Sequence, residues 1–129
     1  MKEIVIHGFT RGKYKGKFPN LNDYVKANRS GYRAGASMIE SSENKIIDQL
    51  YAQLKKPLRF PIRINYLFIE PDMRRDKDNI AGFFHKVFQD SLVKAGFLPD
   101  DSWKFIDNWY DDFAVDTQDP RIEVRIMEK

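Results

Sequence analysis

The sequence has no cysteine in 129 residues, so disulfide bonds, thiolate zinc sites and cysteine nucleophiles are excluded. Its two histidines, His7 and His85, are too few and too far apart to suggest an imidazole metal site. No apolar run approaches the roughly 18 residues of a membrane span, and residues 1–9 resemble a strand more than a secretion signal. The lack of cysteine is compatible with a reducing compartment, so we expect a cytoplasmic protein. Because 42% of the residues are hydrophobic, we also expect the chain to form its own hydrophobic core.

Several common functional motifs are also missing. The segment GKYKGK near the N-terminus lacks the following Ser or Thr of a phosphate-binding loop. The acidic stretch that begins at Asp76 lacks the central glycine and the final glutamate of an EF-hand loop. No nucleophile elbow is present either. Candidate chemistry must therefore be sought among the charged residues, which make up 32% of the chain.

Charge is distributed unevenly along the chain. Residues 1–63 contain 13 Lys and Arg against 5 Asp and Glu, whereas residues 64–129 contain 9 against 14. Of the 13 aspartates, 11 lie between Asp72 and Asp119. This asymmetry suggests that one part of the domain binds a polyanion and another part binds a divalent metal. A chance distribution of solvated charge is the alternative interpretation of the same pattern.

Hydrophobic periodicity predicts the element order β-α-β-α-β-β. Strands are predicted at residues 2–9, 58–70, 103–115 and 120–127, and helices at about 23–54, with a possible break near Ser30–Gly31, and at about 79–96. Pro61 argues for an edge position or a late start of the second strand. Asp78 or Asn79 can cap the second helix, whose apolar stripe is formed by Ile80, Phe83, Phe84, Val87, Phe88 and Leu92. We expect one α+β domain over residues 1–129, with a small mixed sheet and helices packed on a face.

Two groups of acids flank the second predicted helix. Asp76 and Asp78 lie two residues apart where a strand leads into the helix, a spacing that can direct both carboxylates at one ion. Asp78 alone is also what a helix N-cap requires. Beyond the helix, Asp100 and Asp101 follow Pro99 in a segment that is equally typical of a simple turn. The helix is roughly 25 Å long, so a shared site needs the chain to return across the sheet.

The available ligands determine which metal such a site would hold. Carboxylates and carbonyls favour a hard cation, which means Mg²⁺, with Mn²⁺ as a substitute. Lys86 and Asp90 lie one turn apart on the helix and away from its apolar stripe. Their spacing predicts a surface ion pair, or alternatively a lysine that stabilises a phosphate or a developing charge.

The segment RRDKDN, followed by a helix that ends in QDSLVKAGFLPDD, resembles the RusA family of Holliday-junction resolvases. That family combines an Asp-x-Asp-Asn step, a helix with a lysine, an Ala-Gly pair and an Asp-Asp turn. The N-terminal segment FPNLNDYVKANRSGYRAGASM is similar to the start of phage-type members from Gram-positive hosts. The resemblance is strongest over residues 71–101 and extends over most of the chain.

The resemblance implies a magnesium-dependent, homodimeric endonuclease that cuts four-way DNA junctions in recombination and repair. It assigns metal binding and catalysis to Asp76, Asp78 and Asp101, with Asp100 as a further metal ligand. It also makes Lys86 the catalytic lysine when the helix is aligned from its C-terminal side, whereas alignment from the other side places Gly82 there. Inactive DNA-binding accessory proteins, nucleases for other branched DNA and small calcium-binding interaction domains remain alternatives.

We expect basic side chains to hold the phosphates that flank the scissile bond. The candidates are those of the basic loop, residues 10–22, and those beside the first acid pair: Arg11, Lys13, Lys15, Lys17, Arg74, Arg75 and Lys77. Apolar residues near the third strand (Phe97, Trp103, Phe105 and Trp109) can serve either as dimer surface or as sheet core. No nucleotide cofactor is expected.

Overall fold

The computed structural model describes all of residues 1–129 and contains four strands and three helices. Along the chain these are β1 (Lys2–Ile6), α1 (Leu21–Ser30), α2 (Tyr32–Gln53), β2 (Ile62–Glu70), α3 (Lys77–Lys94), β3 (Ile106–Val115) and β4 (Arg121–Met127). The α+β prediction is confirmed. One helix is added because the first predicted helix is divided in two at Gly31.

The division between α1 and α2 follows from local sequence. Gly31 adopts a φ of 153°, a conformation that side chains disfavour, and it ends α1 immediately before α2 begins. At its other end, α1 has a capping box in which Asn20 and Asp23 each bond to the backbone amide of the other. These two signals make α1 a short separate helix of 10 residues.

The four strands form one mixed sheet in the order β1-β4-β2-β3. β4 pairs antiparallel with both β1 and β2, whereas β2 and β3 are parallel. β2 therefore lies inside the sheet, and the edge position considered for it is wrong. Its late start is confirmed, because the strand begins at Ile62, directly after Pro61.

The core lies between the sheet and the helices. All six residues of the predicted apolar stripe on α3 are buried, as predicted. Phe84 and Phe88 of α3 meet Tyr66 of β2 edge-on, at ring-centroid distances of 5.9 and 5.7 Å. Burial of each such ring contributes about 1.5–3 kcal/mol, so this contact fixes α3 across the sheet.

The two edges of the sheet differ. The free edge of β1 is covered by α2, whose Gln49 and Gln53 side chains bond to the backbone amide and carbonyl groups of His7 and Val5. β3 forms the opposite edge, and of its 10 residues only Ile106 is buried. None of the helices is both long enough and apolar enough to cross a bilayer.

Candidate functional site

Helix α3 separates the two acidic groups that the sequence singled out. Asp76 lies at its N-cap position, and the turn that contains Asp100 and Asp101 follows its C-terminus at Ala95. We call Asp76 and Asp78 the proximal acid pair. We call Asp90, Asp100 and Asp101 the distal acid cluster.

The proximal acid pair is exposed at the start of α3. The backbone carbonyl of Asp76 accepts the amides of Asn79 and Ile80 at 3.1 Å each, so Asp76 occupies the N-cap position predicted for Asp78 or Asn79. That prediction is wrong by two residues. The Asp76 carboxylate makes no capping hydrogen bond, and neither acid forms an ion pair. Both carboxylates therefore remain free for a ligand at the positive end of the helix dipole.

The distal acid cluster forms where the chain turns back on α3. Gly96 adopts a φ of 85°, and the amides of Phe97 and Leu98 both bond to the carbonyl of Leu92. This turn brings Asp101 within hydrogen-bonding reach of Asp90, one turn before the end of the helix. Partial burial raises the pKa of Asp101, and the hydrogen bond and charge of Asp90 raise it further.

The two acidic groups do not share an ion within one chain. Asp78 and Asp90 are 12 residues apart on one helix, which corresponds to roughly 18 Å along its axis. The chain contains no group of three or more potential ligands arranged around one metal position. The expectation that Asp76, Asp78 and Asp101 of one chain hold a common Mg²⁺ is therefore wrong. The turn after α3 brings Asp101 back only to the level of Asp90. The chain then continues into β3, so Asp101 never reaches the start of α3.

The donor set of the distal acid cluster still fits a hard cation. Magnesium in proteins is commonly held by one or two carboxylates, with water and substrate phosphate completing its ligands. Asp90 and Asp101 supply such a pair, and their mutual repulsion favours a bound cation. Asp100 lies beside them, and one of its carboxylate oxygens accepts the amide of Asp101 at 2.8 Å.

Lys86 belongs to the distal acid cluster by position. Its ammonium group lies 3.8 Å from the carboxylate of Asp90, which confirms the predicted surface ion pair. The side chain is 54% exposed and so remains accessible to a ligand. At Gly82, the other candidate for this position, an added Cβ would come within 3.5 Å of the Leu21 side chain of α1. Lys86 is thus the only one of the two positions that offers a cation.

The basic loop is held against the sheet, but its cations are free. Gly8 lies against the backbone of Lys17, so closely that an added Cβ would come within 2.3 Å of it. Arg11, Lys13 and Lys15 are exposed, and none of the four predicted cations of the loop forms an ion pair. They are available to an external polyanion.

The three cations beside the proximal acid pair differ from one another. Arg75 is largely buried, bonds to both carboxylate oxygens of Glu70 at 2.8 and 2.9 Å, and donates to the carbonyl of Phe18. These donors anchor the basic loop to the end of β2, and a contact of Arg75 with DNA stays a prediction. Arg74 is 88% exposed and lies 3.7 Å from Asp72. Lys77 lies 5.3 Å from the ring centroid of Phe113.

Two functional candidates escape the sequence patterns. The spacing on α3 predicts Asp90 as the ion-pair partner of Lys86, but nothing in the sequence signals its approach to Asp101. The His85 ring nitrogen lies 2.7 Å from the carboxylate of Asp111, which joins α3 to β3. Only the tertiary structure reveals these pairs, because 11 residues separate Asp90 from Asp101 and 26 separate His85 from Asp111.

Of the four aromatic residues considered as dimer surface or sheet core, two pack inside the chain and two are exposed. Phe97 is buried in the core, and Phe105 is partly buried against Phe60 at a ring-centroid distance of 4.7 Å. Trp103 is 93% exposed and Trp109 is 41% exposed. The exposed pair leaves apolar surface near the distal acid cluster and along β3.

No protein-family model matches the chain, and a search of curated proteins finds no significant relative.

Proposed function

We propose that this protein is a magnesium-dependent, structure-selective DNA endonuclease of the cytoplasm that resolves four-way junctions in recombination and repair, and that it acts as a homodimer. The single observation that carries the proposal is the Asp90–Asp101 pair. Two carboxylates within hydrogen-bonding reach of each other repel, and the Lys86 ammonium, 3.8 Å from Asp90, offsets only part of that repulsion, so a bound metal cation would stabilise the pair. Such an arrangement is typical of a functional site.

The surrounding side chains fit phosphodiester chemistry. Magnesium at the distal acid cluster would supply a Lewis acid for a phosphate oxygen. Lys86 lies beside Asp90 and would offset negative charge on the phosphate. The exposed cations of the basic loop would hold neighbouring phosphates, with a salt dependence that reflects the number of contacts.

The homodimer gives the proximal acid pair a role. Asp76 and Asp78 have no cationic partner and lie too far from Asp101 to act with it in one chain. In a two-fold dimer, the start of α3 in one subunit can face the end of α3 in the other, which unites the two acidic groups twice. Two such sites would match the two symmetry-related strands of a junction.

Cleavage of a synthetic four-way junction with Mg²⁺ tests the proposed activity. We expect Asp90→Asn and Asp101→Asn to reduce the cleavage rate by roughly a hundredfold or more. Asp112→Asn is the matched control, because Asp112 is exposed on β3 and has no ion pair. Equal rates for all the variants, or no cleavage by the wild-type protein, would contradict the proposal. Rates on flaps, forks and linear duplex would identify a preference for other branched DNA.

Subunit mixing tests the composite site. Asp78→Asn and Asp101→Asn subunits are each inactive alone, but a mixed dimer places both substitutions in one site and leaves the other intact. Random mixing should restore nicking to about a quarter of the wild-type rate, because half of the dimers are mixed and each has one intact site. No recovery, with mixed dimers verified by mass, would show that the acids do not act across subunits.

The alternative is a DNA-binding recombination protein without activity. The separation of the acidic groups within one chain favours this candidate if the protein is a monomer. Junction binding without cleavage in Mg²⁺ or Mn²⁺ would support it.

A further inference from the structure

The arginines of this chain divide into two classes. All six that follow residue 58 lie within ion-pairing distance of an acid: Arg59, Arg63, Arg74, Arg75, Arg121 and Arg125. The three that precede it, Arg11, Arg29 and Arg33, form no ion pair. Arg29 and Arg33 both lie at the junction of α1 and α2, which the basic loop does not include. A fold that pairs six arginines and leaves unpaired the three that precede residue 34 offers those three cations to an external partner.

The junction of α1 and α2 forms a corner, residues 28–33, in which every residue is exposed. Gly31 makes the turn, and Gly35 lets α2 pack closely on α1, since an added Cβ there would meet Asn28 at 2.2 Å. α1 itself contains no buried residue. Its start is fixed to α3 by Tyr24 and Phe83, whose ring centroids are 6.2 Å apart. The corner is therefore held in place by the turn at Gly31 and the close packing at Gly35, although α1 contributes little to the core.

An exposed aromatic residue lies between the two arginines in the sequence. Tyr32 is 79% exposed and makes no hydrogen bond, although tyrosine side chains are usually at least partly buried. It occupies the first position of α2, between Arg29 and Arg33 in sequence. An exposed ring that lies in sequence between two unpaired arginines supplies the side-chain types that bind a nucleobase and its neighbouring phosphates.

Acidic residues are sparse in this part of the chain. Residues 7–37 contain seven Lys and Arg but one acid, Asp23. Its carboxylate is occupied by the Asn20 amide at 2.8 Å and by the Tyr14 hydroxyl. A cleft of about 360 Å³ connects the corner side of α2 to the basic loop, with Arg11, Lys13 and Ser37 among its lining residues. Exposed cations thus occur both on the basic loop and at the corner, and the cleft lies between the loop and the first turns of α2.

We propose that the α1–α2 corner contacts the branch point of DNA, where Tyr32 stacks on a base that has lost its partner while Arg29 and Arg33 hold the adjacent phosphates. This inference rests on the proposed function for its choice of DNA. The α1–α2 corner would then recognise branched DNA, and it is separate from both acidic groups. Stacking needs a base face that no neighbouring base covers. Such a face is available at a branch point but not inside a linear duplex, so the Tyr32 contact favours branched DNA, whereas the arginines bind both.

Binding measured without cleavage tests the corner. Fluorescence anisotropy in Ca²⁺ would compare a four-way junction with a linear duplex of the same arms, over a range of KCl concentrations. We expect Tyr32→Ala to weaken junction binding about tenfold and duplex binding less than about twofold. Arg29→Gln/Arg33→Gln should weaken both and reduce the magnitude of the salt slope by roughly 1.5 to 2. The matched control is Lys55→Gln/Lys56→Gln, which removes the same charge beyond the opposite end of α2, roughly 33 Å away.

A second measurement reports the stacking directly. A junction with 2-aminopurine at the branch should be quenched further by the wild-type protein and by Trp103→Ala, but not by Tyr32→Ala. The inference would be overturned if Tyr32→Ala bound the junction like the wild-type protein, or if the double arginine variant bound DNA like the lysine control. It would also be overturned if the wild-type protein bound no DNA. Junction binding with unaffected corner variants would overturn the corner alone, whereas loss of cleavage without loss of binding would overturn only the nuclease.

Discussion

Replacement of Asp101 by Asn should make the protein more stable, which is unusual for a residue in a folded turn. The Asp101 and Asp90 carboxylates lie within hydrogen-bonding reach, and the hydrogen bond and charge of Asp90 contribute to the raised pKa of Asp101. Two like charges about 4 Å apart repel by ~1 kcal/mol in water. Lys86, 3.8 Å from Asp90, offsets part of this repulsion. We expect Asp101→Asn to increase the free energy of unfolding by about 0.5 kcal/mol, which corresponds to a Tm increase of about 2 °C.

The pH dependence gives this prediction its sign. Because the pKa of Asp101 is raised in the folded chain, the wild-type carboxyl stabilises the fold while protonated, below its ordinary value of 3.8. That contribution is lost as the pH rises through the raised pKa. The Tm advantage of Asp101→Asn should therefore be absent near pH ~3.5 and largest near pH ~7. Mg²⁺ should raise the Tm of the wild-type protein and leave that of the variant unchanged.

Differential scanning fluorimetry at both pH values, with and without Mg²⁺, provides the measurement. Asp112→Asn serves as the neutral control, since Asp112 is exposed and lacks an ion pair. A decrease in Tm for Asp101→Asn at neutral pH would refute the reasoning. An equal increase at both pH values would also refute it, because the gain would then have a cause other than charge repulsion.

Two further predictions concern groups that hold the site in place. Arg75→Gln should lower the free energy of unfolding in urea by about 2–3 kcal/mol, because it leaves the largely buried Glu70 carboxylate unpaired. The double variant with Glu70→Gln should lose less stability than the sum of the two single variants. Additive losses would mean that the pair does not act as a unit. Tyr66→Phe should cost about 1–2 kcal/mol, because the buried Gln89 amide that donates to the Tyr66 hydroxyl at 3.1 Å loses its acceptor, whereas the exposed control Tyr110→Phe should change stability by less than about 0.5 kcal/mol.

The sequence by itself determined the elements whose signals are local. The apolar stripe of α3 repeats with the period of a helix, so it had to be buried on one face, and all six of its residues are. The α+β order, the late start of β2 after Pro61 and the break near Gly31 also follow from short-range rules for proline, glycine and hydrophobic periodicity. The Lys86–Asp90 ion pair needs only one turn of helix.

Only the tertiary structure decided which charged groups meet. The path of the chain after Gly96 brings Asp101 to Asp90 and leaves Asp76 and Asp78 at the far end of a rigid helix. The same packing buries Arg75 against Glu70 and leaves Arg29 and Arg33 unpaired at a corner. Charge in the sequence gives the number of ionic groups in each region, but the energy of a charge depends on distances of a few ångströms to its partners, and these are set by how the elements pack.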